Sequence, residues 1–491
     1  MSVGARFDDD PLSAAEVRRR ATRGAAGLMV RGCAIRAIGL LGNVVLARLL
    51  TPREFGMIAL GVSVSMVGDF LASGGLAASL IKREGGIDTS DLRAMLGFQL
   101  VITTAFTAGV AVAAIPLGKP GLVAAVMVSS LIIDTMRAPN GILLERRLEY
   151  RLIVRAEVVE TVAWNGWAVA MVLAGMGIWG VATAQVFRAI VGAAFLTANG
   201  PAGVLFPLWS WTRTRAMLSL GVKFQALSLV QLARDQGLGI VVAAVGGLAI
   251  LGLWSIVYRL TLVVGVLLES LWRVSFPAMS RILEAREDPG PALERGLTVA
   301  STVTGLLVAP LAGSAPALVP FLFGSRWTGA VAAMPAVGLS LMLAGPVSAL
   351  GIGYMLSSGR ATRMLVISIA ESLAMWIVSL TLLPFLHVVA LSLGALAAAA
   401  LLTALLGSAL RRGAGVCLVN AMLAPILAWI IGALPAWWLA SSWGETILAA
   451  LAAPALAVSV YVAALLLIRR SAVVVTLAIT SRAVRRSPAQ A

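Results

Sequence analysis

Apolar runs of about twenty residues recur along nearly the whole chain, separated by short polar stretches. An α-helix rises 1.5 Å per residue, so about 20 apolar residues cross roughly 30 Å of hydrocarbon. Fourteen runs meet that requirement and are predicted as helices: 27–49, 55–80, 94–116, 120–143, 153–174, 177–198, 216–245, 249–272, 296–322, 329–356, 364–386, 389–409, 417–440 and 446–468. The fold class that follows is an all-α polytopic membrane protein with about 14 transmembrane helices.

The polar stretches are short. The longest are roughly 198–215 and 273–295, which leaves no room for a soluble catalytic or nucleotide-binding domain. The first carries Gly200, Pro201, Pro207, Trp209 and Trp211 and reads as an interfacial connector, since Trp favours the headgroup level. Helices one and two share a faint pattern with seven and eight: Val44-Val45-Leu46-Ala47, a short turn and Phe55-Gly56 against Val241-Val242-Ala243-Ala244, a short turn and Leu251-Gly252. Six helices per repeat is an even number, so the repeats would share one orientation. The expected organisation is a tail over 1–26, a first lobe over 27–198, the connector over 199–215, a second lobe over 216–411, an appended helix pair over 412–468 and a tail over 469–491.

Charge fixes the orientation. With the N-terminus inside, Arg48, Arg53, Lys119 and Arg326 of the 38 Lys and Arg residues are assigned to the outer side and six to run interiors, while Arg48, Arg137 and Arg155, though inside run bounds, are counted with the adjoining loops. The remaining twenty-eight, Arg137 among them, fall on the inner side. This positive-inside bias predicts cytoplasmic termini and an even number of helices. The formal charge of +16 then serves topology and attraction to anionic membrane lipids, with no call for nucleic acid. Residues 1–24 are polar and Arg-rich, without the apolar core of a cleavable signal. Cys33 and Cys417 read as small packing residues and no disulfide is expected.

The six basic residues within runs are Arg31, Arg36, Arg188, Lys223, Arg234 and Arg259, all in helices one, six, seven and eight. A charge at a helix centre costs roughly 2.5–3.5 kcal/mol on insertion scales, so these groups should face protein or water. Two readings stand. They line a cationic central cavity for an anionic substrate, or they pair with Asp69, Asp134, Glu157, Glu160, Asp235, Glu269 and Glu371. Arg234 and Asp235 are adjacent, and adjacent residues of an α-helix diverge too far to pair directly. Asp69 and Asp235 are also candidates for coupling to H+ or Na+. Trp164 and Trp167 share a face and read as lipid-facing packing.

Catalytic signals are scarce. The one His, His387, lies near a span end; there is no P-loop and no Cys/His cluster with metal spacing. No Arg-rich voltage-sensor helix occurs. No cofactor is expected, and the chain reads as a transporter and not an enzyme.

The segment Leu46-Ala47-Arg48-Leu49-Leu50-Thr51-Pro52-Arg53-Glu54-Phe55-Gly56, with Ala78-Ser79-Leu80-Ile81-Lys82 after it, resembles bacterial polysaccharide exporters of the multidrug/oligosaccharidyl-lipid/polysaccharide superfamily. The colanic-acid-type branch fits best. Asp235 with Gly252-Leu253-Trp254-Ser255-Ile256-Val257-Tyr258-Arg259-Leu260, and Phe276-Pro277-Ala278-Met279-Ser280-Arg281, extend the likeness over about the first 285 residues. The resemblance implies two six-helix bundles in a pseudo-twofold arrangement plus a C-terminal helix pair, in the bacterial inner membrane. It implies flipping of an undecaprenyl-diphosphate-linked oligosaccharide repeat unit for exopolysaccharide or O-antigen assembly, with a polysaccharide polymerase and a chain-length regulator as candidate partners. Flanking of Asp235 by Arg234 and Gln236 departs from the family pattern. Two alternatives carry forward: an ion-coupled small-molecule or drug antiporter of the same superfamily, and a membrane polysaccharide polymerase or ligase.

Overall fold

The computed structural model describes residues 6–7, 38–81, 86–221 and 225–486. Among these, 12 helices are long and apolar enough to cross a membrane, and each corresponds to one expected run. The protein is a multi-pass, all-α membrane protein. Two of the fourteen runs differ. The first is described only as α1 (Ile38–Leu49). The seventh is broken into α8 (Trp211–Gly221), α9 (Ala226–Leu232), a π-helical turn (Ala233–Gly237) and α10 (Leu238–Val245).

The chain forms two compact units, Met1–Ala243 and Ala244–Ala491. In the first, α2 (Pro52–Ser73) starts at a capping box in which Glu54 and Thr51 satisfy each other's backbone amides. Pro52 fills the first turn and Gly74, at φ 48°, ends the helix in the left-handed region. Next come α3 (Leu76–Ile81), α4 (Thr89–Ala114), α5 (Lys119–Arg146), α6 (Tyr150–Met171) and α7 (Ile178–Asn199). Two residues, Arg6–Phe7 (β1), pair antiparallel with Ile87–Asp88 (β2) just before α4. Helix α5 packs against α2, α4 and α7, and α6 lies along α7. Gly61 lets α2 approach α5 closely, since a Cβ there would lie 2.5 Å from the sulfur of Met127.

The 199–215 connector, expected between two lobes, lies in the first unit together with α8. Leu76, Leu80, Leu92, Met95 and Leu143 form one apolar cluster with Met217 of α8, so α8 shares the first unit's core. The connector is bonded down as well. Leu208 N–H donates to Arg93 O at 2.9 Å, and Arg213 pairs with Asp91 at 2.8 Å. Trp209 and Trp211 both lie 6.5 Å from Phe98, ring to ring. Buried Asn140 of α5 accepts from Ala202 N–H at 2.9 Å and donates to Gly203 O at 3.0 Å.

The second unit contains α11 (Leu248–Glu284), α12 (Gly290–Gly313), α13 (Ala315–Phe323), a 3-10 segment (Ser325–Ala333), α14 (Met334–Ser357), α15 (Ala361–Leu386), α16 (Val388–Ala414), α17 (Leu418–Trp443) and α18 (Ile447–Arg486). The run 296–322, expected as one helix, breaks at Ser314 (φ −96°, ψ 3°) because Pro316 supplies no amide hydrogen to continue the ladder. His387 joins α15 to α16 at φ 50°. The pair α17 and α18 packs into this unit: Trp429 and Tyr461 share a core with Val308 and Ala312 of α12. Tyr461 O–H donates to Thr302 O at 2.8 Å, across a gap that Gly305 leaves open.

Candidate functional site

Four charged side chains from three helices of the first unit form a closed ring. Arg137 on α5 reaches Asp134 on the same helix (Nε to Oδ1, 3.2 Å) and Glu160 on α6 through Nη1. Arg188 on α7 reaches the same two carboxylates, Nη2 to Asp134 Oδ2 at 2.7 Å and Nη1 to Glu160 Oε2 at 2.8 Å. Each guanidinium therefore bridges both acids and each acid receives both guanidiniums. The ring is formally neutral, which is how two positive charges are tolerated among apolar helices. Glu160 is the most buried member, with 8% of its side chain exposed. Gly192 on α7 faces it, and a Cβ at that position would collide with Glu160 Oε1. Only a residue without a side chain gives the carboxylate its place.

Two more acids flank the ring. Asp69 on α2 is exposed and within electrostatic reach of Asp134, Arg137 and Arg188. Glu157, one turn from Glu160, is exposed and within reach of Arg137. With these included the cluster leans acidic. On the same helix as Asp69, Ser63 O–H donates to Gln236 Oε1 in the π-helical turn at 2.9 Å. The polar groups of the first unit thus comprise the Arg234–Asp235–Gln236 turn, bonded to Ser63 of α2, and the ring with Asp69 within its electrostatic reach.

The π-helical turn corrects one expectation. Arg234 and Asp235 do pair, Nε to Oδ1 at 2.8 Å with a longer contact of 3.4 Å from Nη2 to Oδ2. A π-turn closes i to i+5 bonds and so winds less per residue than an α-helix, which brings adjacent side chains nearer. Such bulges recur at functional sites.

Arg31, Arg36 and Lys223 lie outside the described residues. Arg259 sits half-buried on α11, in the second unit. Glu269 accepts from Arg273 one turn further along α11 at 2.7 Å. Trp167 packs between helices: its Nε1–H donates to Thr183 at 3.1 Å and its ring stacks on Phe187 at 4.3 Å. Among the described residues no three His, Cys, Asp or Glu side chains come together as metal ligands.

Sequence reasoning named Asp134, Glu160 and Arg188 but placed Arg137 in an inner loop. Arg137 instead lies within α5, nine positions before that helix ends. The available signal was its spacing of three from Asp134, which puts both on one helix face.

A family model described as "Polysaccharide biosynthesis protein" matches residues 45–332. The succinoglycan biosynthesis transport protein ExoT of Rhizobium meliloti (strain 1021) is 25% identical over 307 residues, which is 60% of this chain and 60% of that protein's own length. Two solved structures share the fold. The lipid II flippase MurJ in an inward closed conformation aligns with a TM-score of 0.67 at 11% identity, over 90% of this chain and 99% of that one. An inward-facing multidrug resistance transporter of the MATE family, of the MOP superfamily, aligns at 0.58 with 14% identity, over 77% of this chain and 95% of that one.

Proposed function

The chain belongs to the polysaccharide biosynthesis protein family, and on that premise we propose that it is a membrane flippase or exporter of lipid-linked oligosaccharide. The substrate in this reading is a polyprenyl-diphosphate-linked repeat unit, moved from the inner to the outer leaflet by alternating access, with both termini cytoplasmic. No chemistry is performed on it. ExoT, by its name, transports for succinoglycan biosynthesis, and MurJ, by its name, flips lipid II.

The observation that carries the proposal is the ring of charges in the first unit, with Asp69 and the Arg234–Asp235 turn beside it in sequence-distant helices. Charges exposed at membrane depth do not face acyl chains, because the cost is several kcal/mol each. Asp69 and Asp235 are such charges, so the surface around each meets water or a polar load. Guanidiniums suit a diphosphate, since each offers two parallel N–H donors to phosphoryl oxygens. A diphosphate can take over either carboxylate's role toward Arg137 or Arg188. Displacing Asp134 or Glu160 leaves an acid that regains neutrality by taking up H+ or Na+. Asp69 and Asp235 extend the same coupling. The polyprenyl tail stays in the bilayer, because exposing it to water costs about 25 cal/mol per Å².

A second reading has one observation in its favour. The ring with Asp69 and Glu157 leans acidic, which suits an antiporter of organic cations. Export separates the two. In cells lacking the gene, the intact chain should restore polysaccharide export, whereas Asp69→Asn and Arg188→Lys should insert normally and restore little. Full export by both variants would sink the proposal. Restored resistance to cationic dyes without export would favour the antiporter.

A further inference from the structure

A cavity of about 540 Å³ opens in the second unit where three membrane spans end together. Helix α12 begins there at Gly290, α16 ends there at Ala414, and the apolar run of α18 ends there at Ile468. Because these ends line one cavity, the cavity sits at one headgroup level of the bilayer. Its size falls within the range of small-molecule sites.

Its charged lining has both signs. Arg295 and Arg469 supply guanidiniums, and Asp288 and Glu294 supply carboxylates. Arg469 reaches the cavity because α18 breaks there: its backbone leaves the helical region at φ −154°, ψ 79°, in a chain that is helical before and after. Asp288 is already committed, since Oδ1 accepts the amide of Gly290 at 2.9 Å. Among the described residues, Glu294, Arg295 and Arg469 make no side-chain hydrogen bond or ion pair, with one another or with Asp288. Opposite charges that share a cavity at membrane level and do not neutralise one another suit a ligand that carries both signs.

We propose that this cavity binds a zwitterionic phospholipid headgroup with a primary ammonium, phosphatidylethanolamine in chemical class. Its phosphodiester meets Arg295 and Arg469, and its ammonium meets Glu294. The small residues Gly290, Ala414, Gly415, Ser471 and Ala472 leave room for the headgroup. This site lies in the second unit and the charged ring in the first, and the proposal goes beyond the flippase reading: either stands if the other falls. A purely anionic lipid would leave Glu294 facing a like charge, and phosphatidylcholine would offer Glu294 no hydrogen-bond donor.

Native mass spectrometry of the full-length purified protein, titrated with defined lipids, tests this. The intact protein should retain phosphatidylethanolamine over phosphatidylcholine and phosphatidylglycerol, and retention should fall stepwise as the ethanolamine nitrogen is methylated. Arg295→Gln and Arg469→Gln should each weaken retention about tenfold, the loss of one charge-assisted contact. Glu294→Gln should abolish the preference for ethanolamine over choline. Soluble phosphoethanolamine at millimolar concentration should displace little lipid, which marks the ligand as a membrane component; complete displacement, a preference for phosphatidylglycerol, or equal retention of all three lipids would overturn the assignment. The methylation series uses the unmodified chain alone, so it decides the matter even where a variant fails to fold.

Discussion

Glu160 shows how much one side chain can organise. It accepts from Arg137 and Arg188 at once and is nearly enclosed. Removing one partner of a buried ion pair typically costs about 3–5 kcal/mol, because the remaining charges lose compensation. Glu160→Gln should therefore lower the thermal unfolding midpoint of the protein in detergent sharply. Gly192→Ala should act on the same carboxylate by crowding, at a cost of about 1–3 kcal/mol. If both midpoints match that of the unmodified chain, the ring does not hold α5, α6 and α7 together. These residues were legible only in part. Asp134, Glu160 and Arg188 stand out as charges within apolar runs, but nothing in a single sequence says which carboxylate meets which guanidinium. Gly192 carried no signal of its own among 49 glycines.

At the scale of elements, hydropathy located twelve spans, though some ends shift by up to about a dozen residues, because length and apolar content are what the bilayer demands. Breaks within spans were less visible. Run 216–245 is as apolar as its neighbours, yet it contains a π-turn and shares its start with the core of the first unit. Hydropathy does not register backbone winding. The connector owes its position to specific bonds. Asn140→Ala should strip Ala202 N–H of its acceptor and Gly203 O of its donor. An orphaned buried amide costs about 1–3 kcal/mol, so limited proteolysis should nick residues 200–210 faster in the variant than in the unmodified chain. Equal rates would mean that Trp209 and Trp211 hold the connector without Asn140.

For the whole molecule, the charge bias makes a topological prediction independent of any site. With Cys33 and Cys417 replaced by Ser, Arg286→Cys should react with a membrane-impermeant maleimide only after the inner face is opened. Arg326→Cys should react in intact cells. The reverse pattern would invert the orientation and the direction of transport. The central claim is tested most directly by reconstituting the purified protein in liposomes that hold a fluorescent polyprenyl-diphosphate oligosaccharide and following its accessibility to a quencher in the opposite leaflet. The account predicts protein-dependent movement, far faster than in protein-free liposomes and strongly reduced by Asp69→Asn. Movement no faster than in protein-free liposomes, alongside transport of an organic cation dye, would contradict it.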